Sequence, residues 1–267
     1  MRCFLLYIFI SISHFCVAEK IQTIGGFQEV NLDNLSKESL FLFDIDEVLL
    51  TPADILLRPA GKTFSGWCKI QPEKFDHYLS IMLAGTNYIL VDKKGPDMIA
   101  RLSKKGVSVM GFTSCRTGPF GVIQSMEKWR SDQLHAVGID FRPFFSEEYV
   151  FAELVDAKSN PPLFKNGILF CGDFYSSKRS TKGELLGIFL DRMNWRPEQI
   201  VFIDDEKKNL EAVSLELDKR GIPFQGYLLE KPSTPLDEKI AQLQIQTIVE
   251  KKKWISDREA KIIIQNP

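Results

Sequence analysis

The sequence predicts an α/β fold in which a mostly parallel sheet lies between two layers of helices, and two observations predict it. Short apolar runs recur along the chain, at Ser39–Phe43, Val107–Phe112, Ala136–Phe141, Ile200–Ile203 and Phe224–Leu229. Between them lie longer stretches of helical character, Pro96–Lys105, Phe120–Leu134, Lys182–Asn194 and Glu206–Arg220. Strands that are apolar throughout are buried on both faces, as helices packed above and below a parallel sheet require. The alternation reads as a three-layer, Rossmann-like arrangement, with ligand groups expected beyond the carboxyl ends of the strands.

In chain order, Arg2 precedes an apolar run, Phe4 to Ile12, that ends in Cys16-Val17-Ala18. A positive start, a short apolar centre and small residues before Glu19 are the pattern of a signal peptide, so residues 1–18 are expected to direct the chain to a secreted or periplasmic location. The competing reading is a membrane anchor, but the run is shorter than the ~20 residues a span needs and is broken by Ser11, Ser13 and His14. Residues 19–267 then form one domain with two departures from simple alternation. Residues 47–95 carry Pro52, Pro59 and Pro72 among aromatic positions, followed by a predicted helix at Glu73–Leu83, and read as a flap with a small helical cap. Residues 143–173 read as an insertion ending in a hairpin, with the turn pair Asn166-Gly167 between Leu163-Phe164-Lys165 and Ile168–Phe170. Ile240–Lys252 and Asp257–Ile264 are expected to be helices packed onto the sheet.

The formal net charge of −1 gives no reason to expect nucleic acid as a partner, whereas a small phosphorylated molecule needs only a local basic pocket. No second segment has the length and apolarity of a membrane span, and nothing specifies a protein partner. Of the cysteines, Cys68, Cys115 and Cys171 lie outside the leader, and their spacing matches no metal site, which favours structural or incidental roles. His77 and His135 have no neighbouring partner that marks either as catalytic.

The strongest local feature is Phe41-Leu42-Phe43-Asp44-Ile45-Asp46-Glu47-Val48-Leu49, an apolar run that ends in two acids. One carboxylate at this spacing could attack phosphorus or bind a metal while the other moves a proton. An acidic turn or helix cap is the plainer alternative. Val201-Phe202-Ile203-Asp204-Asp205 repeats the pattern, and Asp44, Asp204 and Asp205 together could supply part of a magnesium shell of hard oxygens. Such acids repel one another without a cation. Thr113-Ser114 follows a predicted strand and could donate to phosphate oxygens, and Lys182 opens a predicted helix and could neutralise them. Taken singly, Thr113 is a turn cap and Lys182 a solvated side chain; the combination favours chemistry.

These residues, in this order, resemble the haloacid dehalogenase-like hydrolase superfamily, in particular its phosphatase branch. Asp44-Ile45-Asp46-Glu47-Val48 fits its opening motif, Thr113 in Thr113-Ser114-Cys115-Arg116 its second, Lys182-Gly183 its basic third and Asp204-Asp205 its acidic fourth. The resemblance implies magnesium-dependent phosphomonoester hydrolysis: Asp44 as nucleophile, forming an aspartyl-phosphate, and Asp46 as acid and then base. It implies a metal held by Asp44, the Asp46 backbone carbonyl and Asp204 or Asp205, with Thr113, Ser114 and Lys182 on the phosphoryl group. Lys178 is a second candidate for the basic role, and Arg116 and Arg179 are candidate substrate contacts. The leader and the opening motif also look like secreted bacterial acid phosphatases. Closer still, Asn166–Phe170 and Lys182–Leu186 resemble the family DUF2608 of intracellular bacteria of the Legionella and Chlamydia kind. Two positions depart from the pattern: Val48 stands where phosphatases commonly have Thr, and Asn209 where many relatives place a further acid.

A dehalogenase would not need the second acid pair, and a phosphotransferase would share the first half of the reaction. The non-enzymatic alternative is a secreted interaction protein on the same scaffold, using Trp67 with Tyr78 or the aromatic stretch Phe141–Phe145. Those aromatics are expected in a cap core instead.

Overall fold

A computed structural model describes residues 20–173 and 180–266. The expected signal peptide and the positions of Lys178 and Arg179 lie outside the described residues. In chain order the strands and helices are β1 (Ile21–Ile24), β2 (Ser39–Phe43), β3 (Leu50–Pro52), α1 (Phe75–Gly85), β4 (Tyr88–Leu90), α2 (Gly95–Lys104), β5 (Ser108–Thr113) and α3 (Met126–Ala136). There follow β6 (Tyr149–Val150), β7 (Leu163–Lys165), β8 (Ile168–Phe170), α4 (Lys182–Arg192), β9 (Gln199–Asp204), α5 (Lys207–Arg220), β10 (Phe224–Leu229), α6 (Glu238–Lys251) and α7 (Asp257–Gln265).

The main sheet runs β1-β10-β9-β2-β5-β8-β7-β6, parallel from β1 to β8 and antiparallel over the last two strands. Successive residues of β2 point to opposite faces and both faces are buried, which gives the three expected layers. Leu40 and Leu42 join Leu186 and Phe189 of α4 and Leu210 and Val213 of α5. Phe41 and Phe43 join Met98 and Leu102 of α2 and Met126 and Leu134 of α3. Phe43 pairs with Ile203 on one side and Gly111 on the other, so the strands carrying Asp44, Asp204 and Thr113 end side by side.

Four expectations need correction. Ala136–Phe141 is not a strand: α3 runs through Ala136, Gly138 turns the chain at φ 83°, and Ile139 and Phe141 are buried without a strand partner. The place beside β5 belongs to Ile168–Phe170, so the hairpin read as the end of an insertion extends the main sheet. Its Asn166 and Gly167 both have positive φ, 54° and 71°, the geometry a two-residue hairpin favours. Helix α3 begins six residues later than expected, because Gly118 and Gly121 adopt positive φ and Ser125 caps the helix by accepting from Lys128 N. The C-terminal helices were expected on the sheet, but α6 packs on the cap: Ala241, Ile245 and Ile248 join Trp254 and Leu56, Phe64, Tyr78 and Met82 of the cap in one apolar cluster.

Between β2 and α2 the chain leaves the main sheet and forms a cap. β3 and β4 pair antiparallel as its stalk, short 3₁₀ turns follow β3, and α1 spans its middle. Tyr78 is in the cap core and Trp67 packs against it, the role expected for aromatics in a cap. Among the described residues no helix is long and apolar enough to cross a membrane.

Candidate active site

Asp44 is the first residue beyond β2, and its N–H donates to the Ile203 carbonyl at 2.9 Å, so the sheet ladder holds its backbone. The chain then turns within a few residues. Glu47 takes a left-handed conformation (φ 60°), its N–H donates to the Leu50 carbonyl at 2.7 Å, and Leu50 N–H returns to the Ile45 carbonyl at 2.8 Å. This closed turn fixes Asp46 above the strand end and sends the chain into β3 and the cap.

Lys182 reaches Asp44 from the other helical layer. Thr181 and Glu184 form a reciprocal capping box that fixes the first turn of α4, with Lys182 as its first residue. Gly183 follows because α4 meets α5 there: a Cβ at that position would lie 2.1 Å from the Ala212 carbonyl oxygen. A lysine at a helix N-terminus is unfavourable to the helix dipole, but here its ammonium lies 3.0 Å from Asp44 Oδ1 and donates to Asp204 Oδ2 at 2.7 Å and to the Phe112 carbonyl at 3.0 Å. The side chain is buried between the Phe112 and Phe202 rings. Burial would lower its pKa, but Asp44 and Asp204 outweigh that and hold it protonated. Burial pushes the Asp44 carboxyl up, opposed by Lys182 and reinforced by Asp204. With two carboxylates at contact distance, Lys182 carries the charge that the cluster is built around.

Asp44, Asp204 and Asp205 each offer a carboxylate oxygen within 4.8 Å of the others. Asp204 is wholly buried and its oxygens are engaged, Oδ1 by Glu206 N–H and Asn209 Nδ2 and Oδ2 by Lys182 and Asn209. The Asn209 amide donates where an acid could not, which gives that departure from the family pattern a structural use. Asp205 faces the cavity, and its carboxyl is pushed up to about 7 by burial, then by Asp204 and Glu206.

Asp46 is held by a residue the sequence reading missed. Its Oδ1 accepts from Arg130 Nη2 at 2.5 Å and its Oδ2 from the Thr113 hydroxyl at 3.1 Å. Arg130, on α3, has a side chain only 4% exposed, against 45% for Asp46. Its guanidinium lies over the rings of Tyr88 and Trp129, at 4.8 and 4.6 Å from their centroids. Burial alone would lower the Arg130 pKa, and Asp46 raises it instead. Nothing in the local sequence marks this pair; an arginine within an expected amphipathic helix, 84 residues from its partner, reads as surface.

The expected phosphate ligands divide. Ser114 lines the cavity, but Thr113 is wholly buried, donating to Asp46 and accepting from Cys115 N–H. Two of the three Lys182 donors are taken by the Phe112 carbonyl and Asp204 Oδ2, and the ammonium pairs with Asp44 Oδ1 at 3.0 Å, so it offers a phosphoryl group chiefly charge. Arg116 lines the cavity, stacks on Phe120 at 4.1 Å and lies 3.7 Å from Asp173 and 3.9 Å from Asp76. The Cys115 thiol is pushed up to about 12 by burial, against the pull of Arg130, which suits a structural cysteine. Cys68 and Cys115 are free thiols.

These groups open into one cavity of about 760 Å³ between the strand ends and the cap. The donor set fits a divalent cation. Three carboxylates against one ammonium leave two negative charges when all are ionised, and Asp44 Oδ1 is buried without a well-aligned hydrogen bond. Asp44 and Asp205 are the oxygens best placed to hold it, with Asp204 committed to Lys182 and Asn209. The Asp46 carboxylate lies outside this cluster, which leaves only its backbone carbonyl for the expected ligand role.

The strand order, the acid at the end of the central strand, the cap that follows it at once and the buried aspartate cluster define a capped, three-layer α/β fold with an acidic cavity at the strand ends. Within that class the chain belongs to the family described as "Protein of unknown function (DUF2608)", whose model matches residues 19–261. Relatives include the uncharacterised protein RP296 of Rickettsia prowazekii (strain Madrid E), 25% identical over 240 residues, covering 86% of this chain and 84% of that protein. An uncharacterised protein of Rickettsia bellii (strain RML369-C) is 24% identical over 217 residues, covering 75% of this chain and 72% of that protein. Among solved structures, a haloacid dehalogenase-like family hydrolase, SP0104 from Streptococcus pneumoniae, aligns at a TM-score of 0.39 and 13% identity, covering 78% of this chain and 90% of that one.

Proposed function

We propose that the chain is a magnesium-dependent phosphomonoesterase working through an aspartyl-phosphate on Asp44. The observation that carries the reading is the seating of Asp44 in the cavity, 3.0 Å from a buried lysine and clustered with Asp204 and Asp205. A carboxylate oxygen of Asp44 attacks phosphorus while the bond to the leaving oxygen breaks, and Asp46 gives that oxygen a proton. Water then attacks the same phosphorus, passes a proton to Asp46, and releases inorganic phosphate and the Asp44 carboxylate. Lys182 orients the nucleophile and offsets its charge, Ser114 faces the phosphoryl oxygens, and Thr113 and Arg130 hold Asp46 in place. Magnesium, when bound, withdraws charge from the phosphoryl oxygens. Arg116, Lys178 and Arg179 are proposed substrate contacts. The same proposal places the protein outside the cytoplasm on the strength of residues 1–18, to be checked by the mass of the exported chain.

The test is magnesium-dependent phosphate release from a panel of phosphomonoesters, comparing wild type with Asp44→Asn. Loss of at least about 10³-fold in kcat is expected on removing the nucleophile. Release that persists in the variant, or no release from any ester at high enzyme and magnesium, would overturn the reading.

A further inference from the structure

We propose that the cavity takes a phosphomonoester whose leaving group is aromatic or a similarly large apolar body, seated between α1 and the Tyr88–Trp129 pair. The inference rests on the phosphatase reading for the position of the phosphoryl group, and it names the substrate class that the site would accept. A cavity of about 760 Å³ falls within the ~300–1,000 Å³ of sites that enclose a whole small molecule, far beyond what a phosphoryl group occupies.

Its polarity is uneven: charged Glu47, Asp76 and Arg116 share the lining, but the large apolar side chains are grouped away from the acidic cluster. Asp44, Asp205 and Lys182 make the floor at the strand ends. Leu57, Phe75, Leu79, Leu83, Tyr88 and Trp129, all half-buried, make the wall on the cap side. The charged Lys62 and Lys208 that share the cavity are exposed and belong to its mouth. Apolar surface facing a wet cavity is unfavourable until an apolar ligand covers it.

Arg130 decides which end of the substrate meets this wall. Its guanidinium pairs with Asp46 and lies over both Tyr88 and Trp129, whose rings meet edge to face at 5.5 Å. The group that protonates the leaving oxygen and the aromatic pair are therefore one connected unit. An ester bound with its leaving oxygen at Asp46 has its organic part beside those rings. The wall also stands ready-made: Val122 N–H donates to Ser80 Oγ at 2.9 Å, tying α1 to the loop before α3, so little ordering is needed when a ligand enters.

The test measures binding and turnover separately on the full chain with magnesium. Calorimetry compares 2-naphthylmethylphosphonate with methylphosphonate, neither of which can be hydrolysed. Wild type is expected to bind the naphthyl compound at least about tenfold tighter, with that ratio falling below about threefold in Leu79→Gln and Leu83→Gln. Naphthyl phosphate should likewise exceed methyl phosphate in kcat/KM. Equal binding of the two phosphonates by wild type, which needs no variant to fold, would overturn the inference, as would a preference unchanged in both folded variants. Selective binding without hydrolysis of either ester would leave the apolar seat standing and remove the phosphatase reading. Hydrolysis without selectivity would do the reverse.

Discussion

The floor of the cavity is drawn from strand ends that lie side by side in one sheet, whereas its roof joins residues 47–95 to helices near the C-terminus. In the floor, neighbours in space are held by the ladder: Asp44 is positioned through Ile203, and Lys182 by a capped helix packed on the next one. In the roof an apolar cluster joins α6 to the cap, and its polar joint centres on one buried acid. Asp54 accepts from Thr86 Oγ1 at 2.7 Å, from Trp254 Nε1 at 2.9 Å and from Asp257 N–H at 2.8 Å, uniting the start of the cap, the end of α1 and the α6–α7 turn. Trp254 is 200 residues away in sequence. The difference teaches that chemistry here depends on the sheet, and enclosure on a long-range polar clasp.

The largest effect that would separate the two is Asp54→Ala. Three donors lose their acceptor in a buried place, which should cost about 3 kcal/mol of stability in denaturant unfolding, while kcat for a small ester stays within about twofold. A parallel fall in kcat would show that the roof shapes the chemistry too. Arg130→Ala tests a direct link between the regions, because Arg130 touches Tyr88 at the foot of the cap and Asp46 beside the nucleophile. We expect kcat to fall roughly hundredfold with KM for a small ester little changed, since only the proton transfer loses its support. Arg130→Lys should recover part of it by restoring charge without the fork.

Gly183→Ala probes the floor alone. A methyl group in a helix ordinarily gains about 1 kcal/mol over glycine, but this one would sit 2.1 Å from a backbone oxygen of Ala212, and overpacking of that kind costs about 1–3 kcal/mol. The clash wins because backbone on both sides must move. A net loss of about 1–2 kcal/mol is expected in unfolding experiments, with weaker activity as Lys182 shifts from Asp44. An unchanged or raised midpoint would show that α4 and α5 can part without cost.

The same contrast explains what could be read in advance. Asp44, Asp204 and Lys182 were legible because each follows a local pattern, an apolar strand ending in acid or a basic residue opening a helix, and strand order does the rest. The Asn166-Gly167 hairpin was legible for the same reason, since two adjacent positive-φ residues are a local demand. Ile139 and Phe141 misled because burial alone imitates a strand; only the competition for the edge of β5, won by Ile168–Phe170, settles which segment pairs. The roof was least legible. The helix at Asp257 has a visible Ser256–Glu259 capping box, but nothing local says that its partner is Asp54. Arg130 was hidden likewise, as a buried charge is recognised by its partner and not by its neighbours in sequence.

The smallest effect is expected from the acidity of the floor. The Asp205 carboxyl is pushed up to about 7 by burial first and then by Asp204 and Glu206, against about 3.9 in an unfolded chain. Between those pH values the folded chain keeps a proton that the unfolded chain has released, so stability falls as pH rises through the window. The metal-free protein should therefore melt higher near pH 5 than near pH 8 as far as this group is concerned. Magnesium binds the ionised carboxylate and removes the repulsion that raises its pKa, so its stabilising effect runs the other way and is larger at pH 8. A gain of a few degrees in Tm at pH 8, roughly what 1 kcal/mol gives a chain of this size, should shrink towards zero at pH 5. Asp205→Asn should flatten the metal-free slope and remove most of the gain at pH 8. An equal gain at both pH values would show that magnesium does not compete with the proton on Asp205, and that Asp205 is not one of its ligands.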